Sequence, residues 1–237
     1  MNRRILVSGG FGRFASEILK QKLERDIVEA PGKYIMNINR KKSIDVSIKS
    51  FKPDYFIHAA AITRPMKQHV DNPELSIETN IIGTSNVALA CMKHNIKLIY
   101  ISTDYVYPGE CGPYGETDGL RPINNYAWSK LGGECAVQLC ENSLILRMCM
   151  TERPFVHEKA LVDSKKSLLY IDEAAKITLK LLDETGIINV GGPPTNSYDF
   201  ARVDNPNIGK IYRKDISEKM AADSTMDVTK LKNIFIL

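Results

Sequence analysis

Tyr126 and Lys130 stand four residues apart in a stretch of helical pattern, so their side chains share a face. An ammonium beside a phenol favours the phenolate and lowers the phenol's pKa. A tyrosine tuned this way can give or take a proton near neutral pH. Thr103, directly after the apolar run Lys97–Ser102, supplies a hydroxyl that could hold the reacting oxygen. Taken alone, a Tyr and a Lys at this spacing form a surface pair more often than a site. Here the surrounding elements support the catalytic reading.

A second constellation lies near the start. Gly9-Gly10-Phe11-Gly12 follows the aliphatic run Ile5-Leu6-Val7 and opens a helical pattern, with Arg13, Phe14 and the small Ala15 next in line. Glycines let the backbone turn tightly and approach a pyrophosphate, and a helix N-terminus presents N–H groups and positive dipole to it. A glycine turn by itself is weak, because any tight strand-to-helix turn favours glycine. In dinucleotide sites an acidic residue about 20 positions on meets the adenosine ribose. Glu29 stands at that distance from Gly9 and favours NAD; Arg13 and Arg40, either of which could meet a 2′-phosphate, keep NADP open.

These residues need a scaffold, and the pattern provides one. Strands are predicted at Ile5–Val7, Asp26–Ala30, Tyr55–Ile57, Lys97–Ser102, Ser143–Arg147 and Gly186–Val190. Helices are predicted from Arg13, around Ile44–Phe51, and over 74–94, 125–141 and 171–184. Strands alternating with helices imply an α/β fold: a Rossmann-type, doubly wound parallel sheet covered on both faces. Residues 1–150 read as the dinucleotide-binding portion with its catalytic residues. Residues 151–237, of less regular pattern, read as a shortened substrate-binding portion packed on the same domain.

The chain has 237 residues, enough for a sizeable core, and 32 basic against 28 acidic residues give a net charge of +4. The basic residues are scattered, with Arg40-Lys41-Lys42 and Lys165-Lys166 the densest groups. That pattern reads as solvated surface rather than a nucleic-acid footprint. Five cysteines without CxxC spacing point to reduced thiols in a cytoplasmic protein. The four histidines lie too far apart to suggest a metal site. The start is too short in apolar length for a signal peptide, and no 18-residue apolar run predicts a membrane span.

Together, Gly9-Gly10-Phe11-Gly12, His58-Ala59-Ala60-Ala61, Asn80, Ser102-Thr103-Asp104-Tyr105-Val106-Tyr107 and Tyr126-Ala127-Trp128-Ser129-Lys130 resemble the extended short-chain dehydrogenase/reductase family. The stretch through Pro108-Gly109, with Glu116-Thr117-Asp118, is most similar to the dTDP-4-dehydrorhamnose reductases. The resemblance implies an NAD(P) site below a nucleotide-sugar site. Tyr126 would transfer the proton and Lys130 would bind the nicotinamide ribose. Thr103 would hold the substrate oxygen. Ala59, Ala60 and Ala61 would line the cofactor channel, with Asn80 and Ser102 beside it. Thr63, Asp104, Tyr105 and Met150 would meet the substrate. Members often form dimers, so a homodimer is kept as a partner state.

Chemistry within the family turns on the residues after Thr103. Related 4,6-dehydratases carry Asp-Glu there; this chain has Asp104-Tyr105, so no carboxylate stands ready for the sugar C5 proton. Reduction of a 4-keto-6-deoxy nucleotide sugar asks least of these residues. A non-catalytic NAD(P)-binding regulatory protein and a nucleotide-sugar epimerase remain alternatives. Met150 stands about where the reductases carry an aromatic residue over the sugar, and the segment 151–167 is abbreviated against theirs.

Overall fold

The computed structural model describes residues 2–236; Met1 and Leu237, the outer ends of the two expected portions, lie outside the described residues. Six parallel strands form the central sheet: β1 (Arg3–Ser8), β2 (Asp26–Glu29), β3 (Tyr55–His58), β4 (Lys97–Thr103), β5 (Ser143–Met148) and β6 (Gly186–Val190). Their order across the sheet is β6-β5-β4-β3-β1-β2. The central strands are near-continuous apolar runs because both faces are covered. All seven residues of β4 are buried.

Alternate residues feed two cores. Ile57, Ile99 and Leu146 meet Phe14 and Ile18 of α1 (Arg13–Gln21) and Ala174 and Leu179 of the helix Ile171–Lys180. Phe56, Leu98 and Ile145 face the other way, toward Ile44 and Ile48 of the helix Lys41–Phe51 and Val87 and Cys91 of Thr84–His94. The doubly wound expectation is met.

The order reverses at β1. The chain leaves it toward β2 on one side and resumes with β3 on the other. The crevice at the carboxyl ends of strands flanking such a reversal is where open α/β sheets take ligands. After β5 the chain makes short two-stranded pairings, among them Lys165–Lys166 with Thr195–Asn196 and Lys159–Leu161 with Gly209–Ile211. It then returns through Ile171–Lys180 and adds β6 beside β5. The central sheet therefore draws a strand from beyond residue 150.

Two helices end earlier than their pattern predicts. The helix Asn125–Val137 stops because Ser143 Oγ donates to the Val137 carbonyl at 3.1 Å, turning the chain into β5. The other stops at Lys180, where the Leu181 N–H bonds both Ile177 and Thr178 and tightens the last turn. Leu181 and Leu182 are then both fully buried, which adjacent positions on a surface helix cannot achieve together.

Candidate active site

The glycine turn is set by backbone geometry. Gly9 has φ +78°, and its carbonyl accepts the Gly12 N–H at 2.7 Å. A Cβ on Gly10 would stand 1.8 Å from the Ala30 carbonyl oxygen, so no larger residue fits. Gly12 precedes α1 without a side-chain cap, and α1 has no acidic residue in its first turn. Unanswered N–H groups at such an end suit a dinucleotide pyrophosphate. Across the turn, Ser8 Oγ pairs with His58 Nδ1 at 2.7 Å and accepts the Ala59 and Ala60 N–H groups. His58 Nε2 lies 2.9 Å from Thr84 Oγ1. Burial pushes the His58 pKa down to about 3, so the imidazole is a neutral tie that fixes Ala59–Ala61.

A cavity of about 970 Å³ opens at the carboxyl ends of β1, β3, β4 and β5. Of the residues expected at the site, Gly9, Gly12, Arg13, Phe14, Ala59, Ala61, Thr63, Ser102, Thr103, Asp104, Tyr105, Tyr126 and Met150 line it. The structure thus brings the glycine turn and the Thr103/Tyr126 pair to one chamber. Gly10, Phe11, Glu29, Ala60, Asn80 and Lys130 are set back from its walls. Phe11 is 81% exposed, and a Cβ on Gly32 would strike its ring. Glu29 is exposed at the end of β2, in register with Leu6 of β1.

Asn80 is fully buried. Its Oδ1 accepts the Ile62 N–H at 2.8 Å, and its Nδ2 donates to the Ile62 carbonyl and to Ser129 Oγ at 2.9 and 2.8 Å. It clamps the loop after β3 to the helix bearing Tyr126. The π-helical turn Ile77–Gly83 carries it. Ser102, expected at the cofactor, directs its hydroxyl to Glu134 Oε1, which also takes the buried Arg147 guanidinium.

The electrostatics differ from the simple tyrosine–lysine expectation. The Lys130 ammonium, 3% exposed, sits 4.0 Å from the centre of the Tyr100 ring. Burial lowers its pKa to about 7, with Glu134 pulling the other way. The Tyr126 phenol is pushed above the ordinary tyrosine range by burial and then by Asp104; Thr103 and Arg64 draw it back. In this structure Tyr126 is therefore a protonated phenol at neutral pH. Sharing a helical face does not settle where a long side chain points.

Three groups escaped the sequence reading: Lys166, Arg64 and Glu152. Lys166, read there as solvated surface, is 5% exposed and lines the cavity, its Nζ 3.3 Å from Asp104 Oδ2. Arg13 and Arg64 both line the cavity and pair with Glu152, the latter at 3.1 Å. These contacts join residues far apart in sequence and leave no periodic signal. The only hint at Lys166 is the two-residue strand Lys165–Lys166, whose alternation sends one lysine out and the other in. Among the described residues no group of His, Cys, Asp and Glu is placed to hold a metal ion, and no helix is long and apolar enough to cross a membrane.

Known proteins share this fold. A dTDP-4-dehydrorhamnose reductase from Aggregatibacter actinomycetemcomitans is 27% identical across 98% of this chain and 93% of its own length. The methionine adenosyltransferase 2 subunit beta of Xenopus laevis is 31% identical over 62% of this chain and 46% of its own. The solved structure of dTDP-4-dehydrorhamnose reductase from Bacillus anthracis in complex with NADP superposes with a TM-score of 0.88 at 22% identity, covering 98% of this chain and 92% of that one. The UDP-glucose 4-epimerase of Thermus thermophilus, solved with NAD, gives a TM-score of 0.80 at 19% identity, over 97% and 92%. The family description RmlD substrate binding domain matches residues 3–151, and the chain belongs to that family.

Proposed function

We propose that the protein is an NAD(P)-dependent reductase of a 4-keto-6-deoxy nucleotide sugar. The carrying observation is that one cavity is bounded by the Gly9–Gly12 turn at one side and by Thr103 and Tyr126 at the other. NAD(P)H, when bound, would supply hydride to the sugar C4 carbon. Tyr126, whose phenol keeps its proton at neutral pH, gives that proton from Oη to the carbonyl oxygen. Thr103 holds the substrate beside it, and Lys130, one turn along the Tyr126 helix, binds the nicotinamide ribose. Gly9, Gly12 and the first turn of α1 receive the pyrophosphate. Glu29, at the end of β2, takes the adenosine ribose and favours NAD; Arg13 is engaged with Glu152.

The portion after residue 150 forms the sugar wall, since Phe155, His157, Leu161, Ser197 and Met220 line the same cavity. Met150 provides an apolar cover there. A reducing, cytoplasmic setting suits five cysteines that form no disulfide. A homodimer fits the exposed apolar groups on neighbouring helices: Ile82, Leu89 and Met92 beside Trp128.

The test is NADH and NADPH oxidation by the purified protein with a panel of 4-keto nucleotide sugars. Oxidation that depends on dTDP-4-dehydrorhamnose is expected. Cofactor binding without turnover across the panel would instead support a non-catalytic NAD(P)-binding subunit. The match to a methionine adenosyltransferase subunit favours that second reading.

A further inference from the structure

We propose that Lys166 is a positioning residue of this site: its ammonium balances the buried Asp104 carboxylate and so fixes the Thr103 hydroxyl beside Tyr126. The proposal deepens the reductase reading and rests on it.

Asp104 is almost fully buried, one residue after Thr103, in the turn Asp104–Val106 that ends β4. Its Oδ1 accepts the Thr103 hydroxyl proton at 3.1 Å, and its Oδ2 accepts from Ser224 Oγ at 2.7 Å. A buried carboxylate needs a counter-charge. Lys166 provides it at 3.3 Å, while its Nζ also lies 3.9 Å from the centre of the Tyr105 ring. Tied to Asp104, the Thr103 hydroxyl is placed beside the Tyr126 phenol. It accepts the Tyr105 N–H at 3.3 Å and keeps one orientation.

The Lys166 backbone is itself held firmly. Lys165 N–H donates to the Ala222 carbonyl, Ser224 N–H donates to Lys165, and the strand pairs with Thr195–Asn196. The substrate-side portion thus reaches across the cavity and holds the turn that carries Thr103.

Tyr126 responds to the same balance. The titratable and charged groups around it are Asp104 and Tyr105 from the turn after β4, Arg64 from the loop after β3, and the His69 ring, 5.2 Å away. Lys130 follows one turn along its own helix, over Tyr100. Asp104 is the nearest acidic influence on the phenol and raises its pKa. Removing the Lys166 charge leaves that influence uncompensated, so the phenol holds its proton to higher pH.

The experiment compares wild type, Lys166→Met, Lys166→Arg and Lys166→Met/Asp104→Asn for kcat, KM and pH profile with the 4-keto sugar. Lys166→Met is expected to lower kcat about tenfold or more at neutral pH, to change KM less than about threefold, and to move the alkaline limb of kcat upward. Lys166→Arg restores most of the rate. The double variant, which leaves no charge unpaired, turns over faster than Lys166→Met alone. An unchanged kcat and pH profile in Lys166→Met overturns the proposal. So does an arginine variant as impaired as the methionine one, or a double variant no better than the single.

Thermal unfolding of the same proteins, with Asp104→Asn alone completing the cycle, decides the ion pair without turnover. The pair requires Asp104→Asn to recover part of the Tm lost in Lys166→Met, and losses that simply add overturn it. If wild type reduces no sugar while this coupling is present, the reductase reading has failed and the pair has not. If Lys166→Met does not fold, Lys166→Arg and the double variant still carry the comparison.

Discussion

The two halves of the cleft are built by different means. At the cofactor end the contacts come from backbone: the Gly9 φ of +78°, the Gly10 approach to Ala30, the uncapped start of α1 and the Ser8–His58 tie. At the substrate end they come from charged side chains: Lys166 on Asp104, and Glu152 between Arg13 and Arg64. A backbone cradle accepts almost no substitution, because an added Cβ meets main-chain atoms that cannot move aside. A side-chain wall can be rewritten one residue at a time. The difference teaches why cofactor binding is the more firmly specified property of this chain and sugar identity the more adaptable one.

Breaking the backbone half should have the largest effect. Gly10→Ala places a Cβ against the Ala30 carbonyl, so cofactor binding should be lost in a titration and the melting temperature should fall. Unchanged cofactor affinity would mean that the turn relaxes freely. Tyr126→Phe comes next. Loss of a proton donor should lower kcat about 10²- to 10⁴-fold in steady-state kinetics while leaving cofactor affinity near wild type.

The third effect is a pH dependence of stability. Lys130 has its folded pKa depressed from 10.5 to about 7, so between those values the unfolded chain holds a proton that the folded chain has released. Stability contributed through Lys130 must therefore rise with pH across that window, by at most about 1.4 kcal/mol per pH unit. Denaturant melts at pH 7 and pH 9 should show this gain in wild type and a smaller one in Lys130→Met. The smallest effect is expected on the side-chain half. Glu152→Gln frees Arg13 and Arg64 for substrate phosphate, and exposed pairs are worth about 1 kcal/mol or less. The KM for the nucleotide sugar should fall by no more than about fivefold, with little change in melting temperature.

Much of the cofactor half was legible in the sequence because its signals are local. Tyr55–Ile57 and Leu98–Ile101 are unbroken apolar runs, and Gly9-Gly10-Phe11-Gly12 stands between a strand and a helix. The doubly wound sheet followed from those patterns. The substrate half was not legible for the opposite reason. The Lys166–Asp104 pair spans 62 residues, and the Arg64–Glu152 pair spans 88. Neither leaves a period or a motif. Asn80 ties Ile62 to Ser129 from a π-helical turn, and no apolar spacing marks such a turn. Lys130 shows a further limit: its place on the Tyr126 helix was legible, but the Tyr100 ring beneath its ammonium was not.

The most direct test uses NADH or NADPH deuterated at the transferable position, incubated with dTDP-4-dehydrorhamnose and the wild-type protein, with the sugar read by NMR. A reductase places one deuterium at C4 of the product sugar and leaves an equivalent of oxidised cofactor. Bound cofactor with no deuterium in the sugar, or a sugar epimerised without net cofactor oxidation, would contradict the account.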